Sequence, residues 1–216
     1  MTFLAGAPRA RNASRFPLVH ASPLAIRDET RADIAARDAL LATAFGANRH
    51  EKTSERLREG RKPARGLSLV ATLNGVVVGT VRLWHVDAGE APALLLGPLA
   101  VSAEHRTLGI GAALMRAALR RAKLRGHKAV LLVGDAAYYE RFGFARDYTR
   151  DLAMPGPVDA ERFLGLELED GALARASGMV APTGAFVRAA GFQQAGLRQA
   201  GLRQAGLRQA GLRHAA

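Results

Sequence analysis

The 216-residue sequence predicts an α/β (α+β) fold, a mixed sheet with antiparallel and parallel portions flanked by helices. Three observations predict it. Strand-like and helix-like stretches alternate from Leu24 to Leu168. Asn74-Gly75 joins two apolar runs as a hairpin turn would. A helix over residues 110–125 is stopped by Gly126 and followed at once by an apolar run at 128–133.

The elements follow in order. Residues 24–27 make a short strand. Residues 34–45 place Ile34, Leu40, Leu41 and Phe45 at helical spacing, and Gly46 ends the helix. A second, polar helix is expected over 53–59. Residues 67–73 and 76–86 form the hairpin, because Asn-Gly supplies the two positive φ values of a type I′ turn. Residues 94–101 form an apolar strand with Gly97-Pro98 inside it, which predicts a bulge or bend. In the helix at 110–125, Met115, Ala118, Leu119 and Ala122 share one face, and Arg116, Arg120 and Lys123 share another. Residues 128–133 read as a buried strand, and 136–142 as a short helix ended by Gly143. Further strands are expected from Phe144 onward and at 163–168, with the residues after about Asp151 completing the sheet.

Composition narrows the function. The chain is 49% hydrophobic and 23% charged, as soluble globular proteins are. It has no cysteine, which excludes disulfides, thiolate metal sites and cysteine nucleophiles. No stretch approaches the roughly 18 apolar residues that span a bilayer. The net charge of +12 points first to nucleic acid, but its distribution does not. Residues 24–170 carry 22 basic residues against all 19 acids, whereas 1–23 hold three arginines and 171–216 six, with no acid in either. The basicity belongs to the ends.

Those ends read as separate segments. Residues 1–23, with Pro8, Pro17 and Pro23 among Arg9, Arg11 and Arg15, are expected to be a disordered basic arm; an organelle transit peptide is the competing reading. Residues 187–216 contain QAGLR four times. A five-residue period turns each leucine by about 140° on a helix and alternates faces on a strand, so neither gives a common stripe. A disordered low-complexity tail is expected, with weak helix or polyanion contact as the alternative. The domain is then 24–186.

The chemistry concentrates in LLLGPLAVSAEHRTLGIGAALMRAAL. An apolar strand leads through a polar turn into a Gly-x-Gly loop and then a helix, which is a phosphate cradle. Gly109 and Gly111 let backbone amides approach an anion, the helix start adds free N–H groups and a positive dipole end, and Arg106 adds charge. A P-loop requires Gly-Lys-Ser/Thr, but Ala112 and Ala113 follow Gly111. A dinucleotide fingerprint requires a small residue where Leu114 stands. Both fail; Arg-x-x-Gly-x-Gly after a bent apolar strand remains.

Here the chain resembles the GNAT superfamily of acyl-CoA-dependent N-acetyltransferases. Pro98 to Val101 with Glu104 to Gly111 (PLAV, EHRTLGIG) is similar to that family's pyrophosphate-binding signature. GDAAYYERFGF, from Gly134 to Phe144, is similar to its segment with a tyrosine four residues before a glycine-aromatic pair, in a bacterial branch with Gly-Asp-x-x-Tyr-Tyr. The likeness spans roughly residues 24–152 and implies a mostly antiparallel sheet with an acyl-CoA-binding opening.

The resemblance also implies a mechanism. Acetyl-CoA, as co-substrate and without a metal, would lie where the strand ending at Val101 splays from 128–133. Leu99, Ala100 and Val101 would pair with the pantetheine arm as an added strand does. Amides of Arg106, Thr107, Leu108, Gly109, Ile110, Gly111 and Ala112 would hold the pyrophosphate. A free amine would attack the thioester directly, with a strand amide stabilising the oxyanion. Tyr139 matches the family's general acid, and a phenol of pKa about 10 is protonated at neutral pH as that role requires. Leu108 stands where many relatives carry a cation, and Thr107 where a glycine is frequent. The strand at 94–101 has no titratable side chain, so a water relay or an acceptor that arrives deprotonated substitutes for a base.

Bland readings stand beside these. Tyr138 is assigned to packing with Phe142 and Phe144. Arg141 is a surface arginine or a phosphate contact. His85, Asp87 and His105 are either structural or base candidates. The expectation is a cytoplasmic enzyme, monomer or homodimer, acting on a small-molecule or peptide amine, with no specific nucleic acid and no membrane. A non-catalytic acyl-CoA-binding module and a basic nucleic-acid-binding protein are the competing classes.

Overall fold

The computed structural model describes residues 24–46, 50 and 52–187. The expected arm at 1–23 and, Val187 apart, the repeat tail at 187–216 lie outside the described residues.

The predicted hairpin is present. β1 (Ala25–Asp28) lies antiparallel along β2 (Ser68–Leu73), and Asn74 and Gly75, at φ 51° and 80°, turn β2 into β3 (Val76–Ala88). β3 runs past the expected end because Gly89-Glu90 makes a second tight turn into β4 (Ala91–Val101). The sequence reading missed that turn and started β4 at Leu94. The bulge it expected is there: Val81 pairs with Leu99 and Leu83 with Leu96, so Gly97 and Pro98 together face Arg82.

β5 (Ala129–Val133) runs parallel to β4, but only Leu94 with Val130 and Leu95 with Leu131 pair. Beyond those two pairs the strands diverge. β6 is the two-residue Leu152–Ala153, and β7 (Phe163–Glu167) lies antiparallel to β5 throughout. β8 (Gly178–Pro182) pairs with β6 and with the end of β3, from Val86 opposite Pro182 to Ala88 opposite Val180. The main path is β1-β2-β3-β4-β5-β7, a mixed and mostly antiparallel sheet, as expected. Phe144 onward is a correction. Ala145 makes a single bridge to Gly165, and Arg146–Thr149 is a 3-10 turn. Phe144 is buried in the core, and the Thr149 hydroxyl donates to the Phe163 carbonyl, so packing takes this segment out of strand geometry.

Helices cover both faces. α1 (Ile34–Phe45) sets Leu40 and Leu41 against Ala100 of β4. α2 (Thr53–Arg56) is shorter than the expected 53–59, because the chain turns to bury Leu57 beside Trp84 and Leu95. α3 (Ile110–Leu124) packs Ile110, Leu114, Met115, Ala118 and Ala122 on Leu69, Val81, Leu83, Leu94 and Val130. Arg116, Arg120 and Lys123 stay exposed, as their shared face predicts. The expected helix at 136–142 is α4 (Ala136–Tyr139) continued by a 3-10 turn, Glu140–Phe142, and capped by left-handed Gly143.

One buried charge cluster fixes α1 on the sheet. The Glu29 carboxylate accepts from both Arg37 and Arg82, joining the end of β1 to α1 and β3. Burial pushes the Glu29 carboxyl up, while Arg37 opposes the shift. α1 carries Phe45 to the mouth of the cavity described next.

Candidate active site

The divergence of β4 and β5 opens a cavity of about 650 Å3. Leu96, Gly97, Pro98 and Leu99 of β4 line one wall; Val133, Gly134, Asp135, Tyr138 and Tyr139 line the other. Past Leu95 no described β5 residue pairs with β4. The backbone groups of β4 on that side are therefore available to an extended ligand.

The glycine loop continues from this wall. A 3-10 turn, Ala103–Leu108, leads to Gly109, which adopts a left-handed φ of 70° as the residue before α3. The first ladder bond of α3 runs from the Ala113 N–H to the Gly109 carbonyl. The N–H groups of Ile110, Gly111 and Ala112 lie ahead of it and are the free donors of a helix start. A Cβ placed on Gly111 would stand 2.9 Å from the Tyr138 hydroxyl and 3.6 Å from Val101 Cγ2. The space over Gly111 is thus a cradle that a side chain would fill. This fits a pyrophosphate approached closely by backbone.

Of the expected binding residues, Leu99 and Arg106 line the cavity itself. Val101 flanks the cradle through its contact distance to Gly111, and Ala100 is buried beneath α1. Thr107 and Leu108 are exposed on the loop, where Leu108 presents an apolar side chain.

Both tyrosines reach the cavity, which corrects the assignment of Tyr138 to packing alone. Tyr138 lies on the cradle side, its ring capped by the Arg141 guanidinium 4.6 Å from the centroid. Arg141 is therefore a ring partner. Tyr139 packs edge-on against Tyr138 at 5.0 Å and against Phe144 at 6.0 Å. Only glycine at 134 admits the ring, because a Cβ there would stand 2.1 Å from Tyr139 Cε2. Burial first, and then the neighbouring Tyr138, push the Tyr139 phenol up to about 12. Burial also raises Tyr138, with Arg141 and Arg116 opposing.

The base candidates lie elsewhere. The His85 ring is tilted against that of His127, with centroids 5.3 Å apart, and neither lines the cavity. Burial, then His85, lowers the His127 pKa. Asp87 sits between Ala181 and Pro92 at the β8 end of β3. The His105 Nδ1 is 2.6 Å from the Ser102 hydroxyl within the turn before the loop. No group of three His, Cys, Asp or Glu among the described residues is placed to hold a metal ion.

Sequence reasoning missed the remaining wall. Phe45, Lys52, Ser54, Glu55 and Arg58 close the cavity from the α1–α2 side, with Arg162 entering ahead of β7. Arg58 is buried, its Nη1 donating to Glu55 Oε1 at 2.6 Å, and its Nε has no partner among the described residues. An unpaired buried N–H costs about 1–3 kcal/mol. Burial lowers the Arg58 pKa while Glu55 opposes the shift. The indole N–H of Trp84 donates to the Gly97 carbonyl at 2.7 Å, holding the bulge that carries this wall. Leu57, the lone apolar residue in TSERLREG, was the available signal that this helix is docked rather than solvated.

Comparison with known proteins agrees with this geometry. Residues 35–144 match the acetyltransferase (GNAT) family. The N-acetyltransferase YhbS of Escherichia coli K12 is 34% identical over 158 residues, which are 72% of this chain and 93% of that protein. The crystal structure of Escherichia coli YhbS in complex with CoA superposes with a TM-score of 0.63 at 32% identity, covering 74% of this chain and 89% of that one. A Brucella melitensis GNAT acetyltransferase solved with acetyl-CoA gives 0.55 at 29% identity, over 74% and 96%. The chain belongs to the GNAT acetyltransferase family.

Proposed function

We propose that the protein moves the acetyl group of acetyl-CoA to an amine, with Tyr139 as general acid. One observation carries this reading: a single cavity runs from Arg106, beside the glycine cradle, to Tyr139. The co-substrate supplies the activated acetyl thioester. The N–H groups of Ile110, Gly111 and Ala112 and the Arg106 guanidinium bind its pyrophosphate, and the open edge of β4 at Leu99 to Val101 pairs with the pantetheine arm. Tyr139 gives a proton to the departing thiolate, and a phenol held near 12 keeps that proton at every working pH. The acceptor is a small-molecule or peptide amine that reaches the cavity from the α1–α2 side. The Gly134-Asp135-Ala-Ala-Tyr138-Tyr139 segment supports placing the protein in the branch that carries it. No helix among the described residues is long and apolar enough to cross a membrane; a cytoplasmic setting accords with acetyl-CoA as co-substrate.

The pH profile tests the acid. A group with a raised pKa acts as an acid below that pKa and is lost above it. kcat/KM should therefore rise with pH as the acceptor amine deprotonates, then stay level to about pH 10. An alkaline fall near pH 8 would exclude both tyrosines as the acid.

Tail charge separates the enzyme from the nucleic-acid reading. A chain cut to residues 24–187 loses Arg9, Arg11, Arg15, Arg188 and the four repeat arginines. It should keep its thermal stabilisation by acetyl-CoA and lose the salt-sensitive DNA retention of the full chain. The cut follows Val187 because Val187 and Ala185 bond to Gly60 and Lys62. Salt-resistant DNA binding by the trimmed chain would sink the enzyme-only reading.

A further inference from the structure

The α1–α2 wall carries a charge arrangement that acetyl transfer does not require. Arg58 lines both the main cavity and a smaller hollow of about 210 Å3 between α1 and α2. The backbone that carries it is anchored. Leu57 is buried beside it, the Thr53 hydroxyl donates to the Pro157 carbonyl at 2.7 Å, and Arg61 Nη1 donates to the Gly184 carbonyl at 2.6 Å.

Only Nη1 of the Arg58 guanidinium hydrogen-bonds to a described residue, Glu55. Nε is buried without a partner, and Nη2 lies against Gly97, 2.8 Å from where a Cβ would stand. Nε–H and one Nη2–H point the same way along one edge of a guanidinium, the edge that takes both oxygens of a carboxylate. Glu55 already occupies the other side. The cavity as a whole has more cations than acids: Lys52, Arg58, Arg106 and Arg162 against Glu55 and Asp135. With Arg106 assigned to the pyrophosphate and Glu55 paired with Arg58, the lining as a whole still carries one positive charge in excess, which favours an anionic acceptor.

We propose that Arg58 forms an acceptor subsite for a carboxylate, so that the amine acetylated by this protein also carries a carboxylate group. The inference rests on the transfer reading above. The acceptor carboxylate takes the Nε–Nη2 edge, for which the side chain turns on its stem, and the amine is thereby held over the β4 wall. Glu55 keeps the guanidinium charged and oriented while the site is empty.

The test is a panel of amino acids, with the amine both near and far from the carboxylate, each paired with its own amide. Acetyl transfer is followed by mass spectrometry, with rates compared per unprotonated amine. For the best acceptor, the acid should exceed its amide in kcat/KM by about tenfold or more, as a charge-assisted pair of bonds gives. Arg58→Met should bring that ratio to about one, and Arg58→Lys should restore part of it. Acetyl-CoA affinity by calorimetry, nearly unchanged in both variants, shows that they are folded. Amides turned over as well as acids by the unaltered protein would overturn the inference while leaving acetyl transfer intact. A ratio unchanged in Arg58→Met would do the same. Failure to bind acetyl-CoA, or transfer to no amine at all, would instead remove the transfer reading and the inference with it.

Discussion

Replacing Tyr139 by phenylalanine should lower the turnover number about 10²-fold, the range of a general acid, and leave acetyl-CoA affinity nearly intact. The substitution keeps the ring that Gly134 makes room for and that packs on Phe144 and Tyr138, so the loss falls on the proton alone. The matched measurement is Tyr138→Phe. Its hydroxyl sits over Gly111, on the cradle side, so its removal should act on acetyl-CoA binding more than on turnover. Both rates are taken under conditions where chemistry limits. If Tyr138→Phe shows the larger fall in turnover, the acid is Tyr138. Full activity in Tyr139→Phe would leave that residue a core aromatic.

Gly111→Val should weaken acetyl-CoA binding by about 10²-fold, the equivalent of roughly 3 kcal/mol. Gly111 lies in the first turn of α3, where no left-handed φ is required, so valine does not strain the backbone. The helix stays anchored through Ile110 and Leu114, both fully buried. What changes is the space above the amides. Cβ alone would meet the Tyr138 hydroxyl at 2.9 Å, and the two methyls would fill the space proposed for the pyrophosphate. Gly111→Ala should fall between. Calorimetry that finds unchanged affinity in a folded Gly111→Val protein would falsify the cradle.

Most of the framework and half of the candidate site were legible in the sequence. The Asn74-Gly75 hairpin, α3 with its arginine face and the bulge at Gly97-Pro98 come from local rules: a turn that needs positive φ, a 3.6-residue period, and a strand broken by Gly-Pro. The phosphate cradle is equally local, because it needs only a strand end, two glycines and a helix start. The α1–α2 wall is not. Arg58 reads as one more cation on a polar stretch until Leu57 is docked beside Trp84 and the indole N–H is bonded to Gly97. Those contacts join residues far apart in the chain, and no periodicity records them. Phe144 failed as a strand for the same reason, since burial and the Thr149 bond to Phe163 overrode local propensity. His85 illustrates the converse. Its residue type invited a base role, and only the structure shows it away from the cavity lining with its ring tilted against His127.

The strap formed by residues 184–187 bears on the order in which the two halves of the site are built. Lys62 N–H donates to the Ala185 carbonyl, Val187 N–H to the Gly60 carbonyl, and β8 closes onto β3 just before it. The elements proposed to make the cradle, β4 through α4, all precede Met154, although Gly134 and β5 still await Arg162 and β7. The segment that steadies the turn after α2 arrives more than a hundred residues after the turn itself. Contacts of such separation close late, because the loop entropy must be overcome before they form. The proposed acetyl-CoA side can thus close once β7 docks on β5, whereas the wall bearing Arg58 is braced only when residues 184–187 arrive, so a ligand of the first side could stabilise it before the second is sealed.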